Sequence, residues 1–239
     1  MTGAERKTAL ITGGTRRLGR AVAAHLGSRG WSLVLTYRSD HQAAEQAREE
    51  LGCTTSVRTV KCDVGRAGEV ESLLAEVGNT EGRLDFLLHN VGHYAPQAAA
   101  DVTPEAWDTT IRTNLDGGFY CAYYSRPLLA ASRGLLGYMG YSGLHGTRAD
   151  PEAIDYQVSK LGLLSLVRSL GVAYGPLGIR VAMVSPGQMD NSIDLPERTD
   201  VIPLGRWGTP ADLCAAWDYL LAADYVTGVN IDVAGGFRL

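Results

Sequence analysis

The feature that most constrains this fold is a regular alternation of short apolar runs and longer helical patterns along the whole chain. The apolar runs predict seven strands, at 8–12, 32–37, 56–64, 84–92, 134–142, 179–187 and 228–236. Helical patterns lie between them, at 18–30, 41–52, 67–78, from 104 through 132, 152–174 and 210–222. Apolar strands that alternate with helices form parallel sheets covered on both faces, and right-handed crossovers make such sheets doubly wound. We therefore expect one α/β domain of the Rossmann type over residues 1–239, with a seven-stranded parallel sheet.

Ligands of such sheets bind beyond the carboxyl ends of the strands, so the residues that follow each strand are the candidates for function. One stretch, 187–208, has no clear periodicity. Long irregular segments in a compact domain are often functional lids, and we expect this one to roof a substrate pocket. A disordered surface loop is the alternative.

Charge and apolar patterning exclude several classes of protein. The net charge of −4 and the pI near 5.7 argue against nucleic-acid binding, which needs a basic face. No apolar run approaches the ~20 residues that cross a bilayer, and the N-terminus lacks the pattern of a signal peptide. The four cysteines show no metal-ligand spacing. We expect a cytoplasmic protein with reduced thiols and no metal, nucleic-acid or membrane partner.

A glycine loop follows the first strand. Gly13 comes directly after that strand and Gly19 lies at the start of the first helix. Glycines there let backbone approach a pyrophosphate, and the helix N-terminus adds partial positive charge. The spacing departs from G-x-G-x-x-G because Arg17 stands where a third glycine is common. An ordinary glycine turn is the alternative.

The second strand ends in Tyr37, Arg38 and Ser39, where NAD-dependent enzymes carry an acidic residue for the ribose 2′-hydroxyl. A guanidinium binds a 2′-phosphate through charge-assisted hydrogen bonds, whereas a carboxylate would repel it. Arg17 would add positive charge on the same side. The sequence therefore predicts NADP(H) rather than NAD(H), and a solvated surface arginine is the alternative for Arg38.

Two further strand ends carry cofactor candidates. Asp63, after the third strand, could bind an adenine amino group or cap the next helix, and both roles are open. Gly92, after the fourth strand, lets backbone pass close to a cofactor.

Tyr156 and Lys160 lie four residues apart in a predicted helix and so face the same side. A free phenol has a pKa near ~10, and a nearby ammonium stabilises the phenolate. We expect Lys160 to lower the pKa of Tyr156 toward working pH, where a general acid–base is most effective. An exposed amphipathic pair is the alternative, but the glycine loop in the same chain favours catalysis.

Nearly the whole chain resembles the short-chain dehydrogenase/reductase family. The matching segments are T-G-x-x-x-R-x-G at 12–19, HNVG at 89–92, TNLDGGF with Asn114, YQVSK at 156–160 and VSPG at 184–187. The loop TGGTRRLGR with TYRSD further resembles the pteridine reductase-like branch, which uses NADPH, although TYRS also occurs in NADP-dependent ketoacyl reductases.

The resemblance implies a role for each matching residue. Tyr156 would protonate a substrate carbonyl, and Lys160 would hold the nicotinamide ribose. Asn114 would anchor a water that relays protons, and Ser142 would orient the carbonyl. Pro186 and Gly187 would form a wall beside the nicotinamide. The full set of expected cofactor-binding residues is Gly13, Thr15, Arg16, Arg17, Leu18, Gly19, Tyr37, Arg38, Ser39, Asp63, Val64, Asn90, Val91, Gly92, Tyr156, Lys160, Pro186 and Gly187.

One departure from the family concerns the serine, which relatives often place thirteen residues before the tyrosine. Gly143 occupies that position here, and Ser142 lies fourteen residues before Tyr156. A one-residue adjustment of the loop at 144–155 would let Ser142 take the role.

These expectations predict an NADPH-dependent reductase of a carbonyl or imine-like bond in a small or carrier-bound molecule, one candidate being a pterin. A 3-oxoacyl-[acyl-carrier-protein] reductase is one alternative, which a basic patch near Arg126 and Arg133 would favour. A non-catalytic NADP(H)-sensing protein is another. Tyr94, Met189 and Trp207 are candidate pocket walls or core residues, and His93 and His145 are candidate wall or loop residues. The resemblance also implies a homodimer or homotetramer that pairs through 113–132 and 152–174.

Overall fold

Seven short strands form one parallel sheet in the computed structural model, which describes residues 6–146, 149–190, 192, 195 and 198–238. The strands are β1 (Thr8–Ile11), β2 (Ser32–Tyr37), β3 (Val57–Lys61), β4 (Phe86–His89), β5 (Leu135–Met139), β6 (Arg180–Pro186) and β7 (Val229–Val233). Their order is β3-β2-β1-β4-β5-β6-β7, and every neighbouring pair is parallel. This confirms the predicted doubly wound α/β sheet.

Helices cover both faces of the sheet. They are α1 (Arg17–Ser28), α2 (His41–Gly52), α3 (Ala67–Thr80), α4 (Pro104–Ile111), α5 (Gly117–Ser132), α6 (Ile154–Tyr174) and α7 (Pro210–Ala222). Successive strand residues point to opposite faces, so Leu10 joins the core beneath α3, α5 and α6, while Ala9 and Ile11 join the core beneath α1, α2 and α7. Two apolar layers therefore hold the sheet rigid beneath its carboxyl edge.

The helical pattern predicted from 104 through 132 is divided in two. A π turn at Arg112–Asp116 separates α4 from α5, and the Gly117 N–H donates to the Arg112 carbonyl five residues back. Asn114 lies inside this wide turn. No proline or glycine within 112–116 marks the division in the sequence.

Several strands end earlier than predicted. The predicted strand 84–92 ends at His89 and the predicted strand 134–142 ends at Met139. Beyond these points the chain leaves the hydrogen-bonded ladder and lines the carboxyl edge of the sheet.

The segment 187–208 is mostly irregular, with a short 3₁₀ turn at Thr199–Val201. Asn191, Ile193, Asp194, Pro196 and Glu197 lie outside the described residues, so the role of this segment as a roof stays a prediction. No helix within the described ranges combines the length and the apolar character that crossing a bilayer requires.

Candidate active site

A cleft of about 760 Å³ opens at the carboxyl edge of the sheet. It lies where the order of the strands reverses, between β1 and β4, which is the usual ligand site of doubly wound sheets. The expected site residues that line it are Gly13, Thr15, Arg16, Arg17, Leu18, Tyr37, Arg38, Ser39, Val64, Asn90, Val91, Gly92, Ser142, Tyr156, Lys160, Pro186 and Gly187. Gly19, Asp63 and Asn114 are the expected site residues that do not.

The glycine loop is held tightly against the end of β4. A Cβ on Gly13, whose φ is +61°, would lie 3.1 Å from Val91 Cγ2. A Cβ on Gly19 would lie 2.6 Å from Asn90 Nδ2 and 2.7 Å from the Gly13 carbonyl oxygen. The Thr12 hydroxyl accepts hydrogen bonds from the Asn90 and Val91 N–H groups at 3.0 and 3.2 Å. These contacts need glycine and leave backbone and the start of α1 facing the cleft, so the cradle fits a pyrophosphate.

Cationic side chains surround the end of the cleft that lies next to the glycine loop, which we call the nucleotide end. Arg17 has a left-handed φ of 49°, which favours glycine. Arg16 forms an ion pair of 2.9 Å with Asp40, whose second oxygen accepts from the Ala43 N–H at the start of α2. Among the described residues, neither Arg17 nor Arg38 has a carboxylate partner, so both guanidinium groups remain available to a ligand phosphate.

Asp63 closes a turn instead of lining the cleft. Its Oδ1 accepts from the Gly65 N–H at 3.0 Å, and its Oδ2 lies 3.7 Å from Arg66 Nε. Its neighbours Cys62 and Val64 do line the cleft. This placement supports the local structural role, and the adenine contact stays a prediction.

Tyr156 and Lys160 lie one turn apart on α6 and face the same cleft. The Lys160 Nζ lies 5.6 Å from the centre of the Tyr156 ring and donates to the Met139 carbonyl at 2.8 Å. Lys160 is only 1% exposed, so its charged group sits in a nearly dry environment. The helical spacing and the end of β5 together bring the phenol and the amine into one compartment.

Burial dominates the protonation of this pair. It raises the pKa of Tyr156, and the neighbouring Tyr141 and Tyr94 raise it further. It also lowers the pKa of Lys160 to about 8. The direction for Tyr156 is opposite to the expected one, because the spacing argument counted the attraction of the ammonium but not the desolvation of the phenolate.

Asn114 is fully buried and fastens the loop that follows β4. Its Oδ1 accepts from the His93 N–H at 2.6 Å, and its Nδ2 donates to the His93 carbonyl and to Ser159 Oγ at 3.1 and 3.0 Å. In that loop, a Cβ on Gly92 would lie 3.5 Å from Lys160 Nζ. Asn114 thus holds backbone beside the amine, and its expected water-anchoring role stays a prediction.

Ser142 is 2% exposed and lines the cleft, with its N–H donating to the Pro186 carbonyl at 2.9 Å. Gly143 has a φ of +89°, and a Cβ there would lie 2.9 Å from the Arg238 carbonyl oxygen. A serine at 143 would be strained on both counts. This favours Ser142 as the serine of the site.

Several residues at the end of the cleft around Tyr156, which we call the substrate end, were not predicted. Tyr94 and Tyr141 contact the Tyr156 ring, with centroids 4.9 and 5.5 Å away. Tyr94, a candidate wall residue, lines the cleft as expected, and the lining residues that the sequence did not single out include Tyr141, Asp150, Glu152, Phe237 and Arg238. Position after β5 and β7 was the available signal for Tyr141, Phe237 and Arg238.

Three candidate wall residues lie elsewhere. Met189 is 1% exposed and belongs to the core beneath α7, and neither it nor Trp207 is among the residues that line the cleft. His93 lines the cleft, whereas His145 contacts Asn230 Nδ2 at 3.1 Å. The described residues contain no cluster of three or more His, Cys, Asp or Glu side chains that could hold a metal.

Residues 13–238 match a family model described as "Enoyl-(Acyl carrier protein) reductase". The chain is 30% identical over 244 residues to "3-oxoacyl-[acyl-carrier-protein] reductase FabG" of Staphylococcus aureus (strain Mu50 / ATCC 700699), covering 98% of both proteins. A short chain dehydrogenase from Bacillus anthracis superposes with a TM-score of 0.88 at 26% identity, covering 98% of this chain and 97% of the other. The Pseudomonas aeruginosa RhlG/NADP active-site complex superposes with a TM-score of 0.87 at 25% identity, covering 98% and 96%.

Proposed function

Since this chain belongs to the short-chain dehydrogenase/reductase family of oxidoreductases, which act on small molecules with NAD(P)(H), we propose that it is an NADPH-dependent reductase. The bond reduced is a carbonyl or an imine-like bond of a small molecule. The proposal takes residues 1–239 as a single NADP(H)-binding domain.

The observation that carries the proposal is the presence of Tyr156 and Lys160 in the same cleft as the glycine loop and its cations. A protein that only binds a nucleotide has no need of a half-buried phenol beside a buried amine. A reductase needs both, because the substrate oxygen or nitrogen must receive a proton as the carbon is reduced.

The preference for NADPH rests on the charge at the nucleotide end. Arg17 and Arg38 line the cleft without a carboxylate partner among the described residues, and Ser39 adds a hydroxyl. Gly13 and Gly19 provide the backbone cradle for the pyrophosphate. The NADP named in the complex of the Pseudomonas aeruginosa relative agrees with this preference.

Bound NADPH supplies the hydride. Tyr156 donates its phenolic proton to the substrate, and burial helps to keep that proton in place at neutral pH by raising the phenol pKa. Lys160 lies under the phenol ring and is tied to the Met139 carbonyl, so its ammonium can stabilise the phenolate that remains. Ser142 orients the substrate through its hydroxyl, and Asn114 holds the Gly92 backbone beside the amine.

The substrate end favours a compact, flat molecule. The Tyr94 and Tyr141 rings contact the Tyr156 ring, Phe237 lines the same cleft, and aromatic walls favour planar groups. A pterin is one candidate of this shape.

A second candidate function is reduction of a 3-oxoacyl group on an acyl carrier protein, which the 30% identity to the Staphylococcus aureus enzyme favours. An acidic carrier would need a basic surface beside the cleft. Arg133 lies two residues before β5 and so at the opposite edge of the sheet, and the cleft is lined by two carboxylates, Asp150 and Glu152, beside Arg238. These positions favour a free small molecule.

The test is a substrate panel of ketones, quinones, dihydropterins and acetoacetyl thioesters, followed through NADPH absorbance with NADH in parallel. The proposal expects turnover of a small cyclic substrate with NADPH and little with the thioesters. Thioester turnover above all others would favour the second candidate. Tight NADPH binding by both the wild type and Tyr156→Phe, without turnover of any substrate in the panel, would favour a non-catalytic sensor.

We also propose that the protein is a cytoplasmic homodimer or homotetramer. Phe119 and Tyr123 on α5 and Val172 on α6 are exposed at 47%, 50% and 81%, and large apolar side chains on a surface are typical of interfaces. Light scattering of the purified protein measures the oligomer, and a monomer at micromolar concentration would contradict this proposal.

A further inference from the structure

We propose that His89 is a positioning residue for the reaction, because its imidazole holds the main-chain carbonyl of Asn114 and thereby the loop that contacts Tyr156 and Lys160. The inference rests on the proposed reductase function, and its test includes one arm that does not depend on activity.

The hydrogen bond of His89 defines its tautomer. The imidazole is fully buried at the end of β4, and its Nε2 lies 3.1 Å from the Asn114 carbonyl oxygen. A carbonyl only accepts, so Nε2 must carry the proton. The other nitrogen, Nδ1, lies 3.9 Å from Cys121 Sγ, whose thiol is a weak donor.

The ring of His89 is packed in place. Its centroid lies 6.0 Å from that of Tyr138 in an edge-to-face arrangement, and the Tyr138 hydroxyl donates to the Gly118 carbonyl at 3.0 Å. A Cβ on Gly118 would lie 3.4 Å from His89 Cδ2. The packing therefore holds the imidazole, and with it the donor Nε2–H, in one position next to the π turn.

A series of contacts connects His89 to Lys160 and Tyr156. The Asn114 side chain forms hydrogen bonds with the backbone N–H and with the backbone carbonyl of His93. On one side of His93, Gly92 lies against Lys160 Nζ, and on the other, the Tyr94 ring packs on Tyr156 at 4.9 Å. A shift of the π turn would move the loop on both sides of the catalytic pair.

His89 is a fixed donor and does not itself carry protons during turnover. Burial and the nearby Lys160 ammonium lower its pKa to about 3, so the imidazole stays neutral at working pH. The Asn114 carbonyl requires a proton on Nε2, and at working pH the neutral Nε2–H tautomer provides it.

Three variants separate positioning from simple filling of the core. His89→Leu removes the donor, His89→Gln replaces it with an amide nitrogen at a similar reach, and His89→Asn offers a donor that is too short. We expect His89→Leu and His89→Asn to lower kcat about tenfold or more, since small displacements of reacting groups are costly. The KM for NADPH should change much less than kcat, and His89→Gln should recover most of the lost kcat.

The control variant is Leu74→Ala, which removes a buried side chain from the same core layer. It should lower stability without lowering kcat. If Leu74→Ala lowers kcat as much as His89→Leu does, and His89→Gln recovers nothing, His89 has only a structural role.

Nitrogen NMR of the wild-type imidazole tests the inference without turnover. The expected result is one tautomer with its proton on Nε2, unchanged between about pH 5 and 8. A neutral imidazole with its proton on Nδ1 would overturn the inference even if the enzyme is active. Failure of the wild type to reduce any substrate would instead overturn the proposed function.

Discussion

The two ends of the cleft differ in their exposure to solvent and in how their polar groups are held. The nucleotide end is open to solvent and uses backbone from a glycine loop with the exposed guanidinium groups of Arg17 and Arg38. The catalytic end is largely dry: Lys160, Asn114 and His89 are at most 1% exposed, and the polar side chains of all three form hydrogen bonds within the protein.

This difference separates recognition from chemistry. Exposed guanidinium groups on long side chains can adjust to a bound phosphate, so they provide affinity without being held in one position beforehand. Proton transfer needs defined positions and defined protonation states, and burial with a closed hydrogen-bond network supplies both. Substitutions at one end should therefore change a different kinetic constant from substitutions at the other.

The largest expected effect is at the catalytic end. Tyr156→Phe removes the proton donor and should lower kcat by about 10²- to 10⁴-fold. Tyr141→Phe is the matched control, because Tyr141 lines the same cleft and contacts the Tyr156 ring. It should cost less than about tenfold, since no proton transfer depends on it. Equal losses in the two variants would argue against Tyr156 as the donor.

The next effect is at the nucleotide end. Arg38→Ala removes a charge-assisted contact worth about 1.5–3 kcal/mol, which corresponds to a rise of about 10- to 100-fold in KM for NADPH. The KM for NADH should not change, because NADH lacks the 2′-phosphate. Arg168→Ala, on the exposed face of α6, is the control. A wild type that prefers NADH would contradict the NADPH proposal outright.

The desolvation of Lys160 should also make the free energy of unfolding depend on pH. The folded pKa of about 8 lies below the unfolded value near 10.4, so between these values the unfolded chain binds more protons and stability rises with pH. Relative to Lys160→Met, the wild type should gain roughly 2 kcal/mol between about pH 7 and pH 9.5. Urea unfolding without added nucleotide measures the difference. If the difference in the free energy of unfolding between the wild type and Lys160→Met does not change with pH, the amine is not desolvated.

The smallest expected effect compares two arginines with left-handed backbones. Arg17 and Arg133 have φ values of 49° and 53°. Replacing either by glycine should raise the free energy of unfolding by up to about 1 kcal/mol. Only Arg17→Gly should also raise the KM for NADPH, because Arg133 lies at the opposite edge of the sheet. An equal change of KM in both variants would contradict the assignment of Arg17 to the nucleotide end.

Sequence reasoning predicted the sheet correctly, and most of the cofactor-binding residues that it named line one cleft, because both depend on local patterns. Apolar alternation predicts strands and crossovers, and the glycine loop, the Tyr37-Arg38-Ser39 segment and the Tyr156/Lys160 spacing are short motifs placed by strand ends. Asp63 was ambiguous because one aspartate can serve a turn or a ligand, and the structure has it in a turn.

The catalytic end was harder to predict because its properties depend on tertiary distances. Phe237 and Arg238 reach the cleft from the far end of the chain, and no periodicity relates them to Tyr156. The link from His89 to Asn114 depends on a π turn that no sequence signal marks. The direction of the Tyr156 pKa depends on burial, which the four-residue spacing to Lys160 does not contain.

The central claim is that the two ends act separately, and a double-mutant comparison tests it most directly. NADPH affinity and kcat would be measured for the wild type, Arg38→Ala, Tyr156→Phe and the double variant. The account predicts that Arg38→Ala alone weakens NADPH binding, that Tyr156→Phe alone lowers kcat, and that the double variant shows the two losses independently. It would be contradicted if Tyr156→Phe weakened NADPH binding as much as Arg38→Ala while leaving kcat intact.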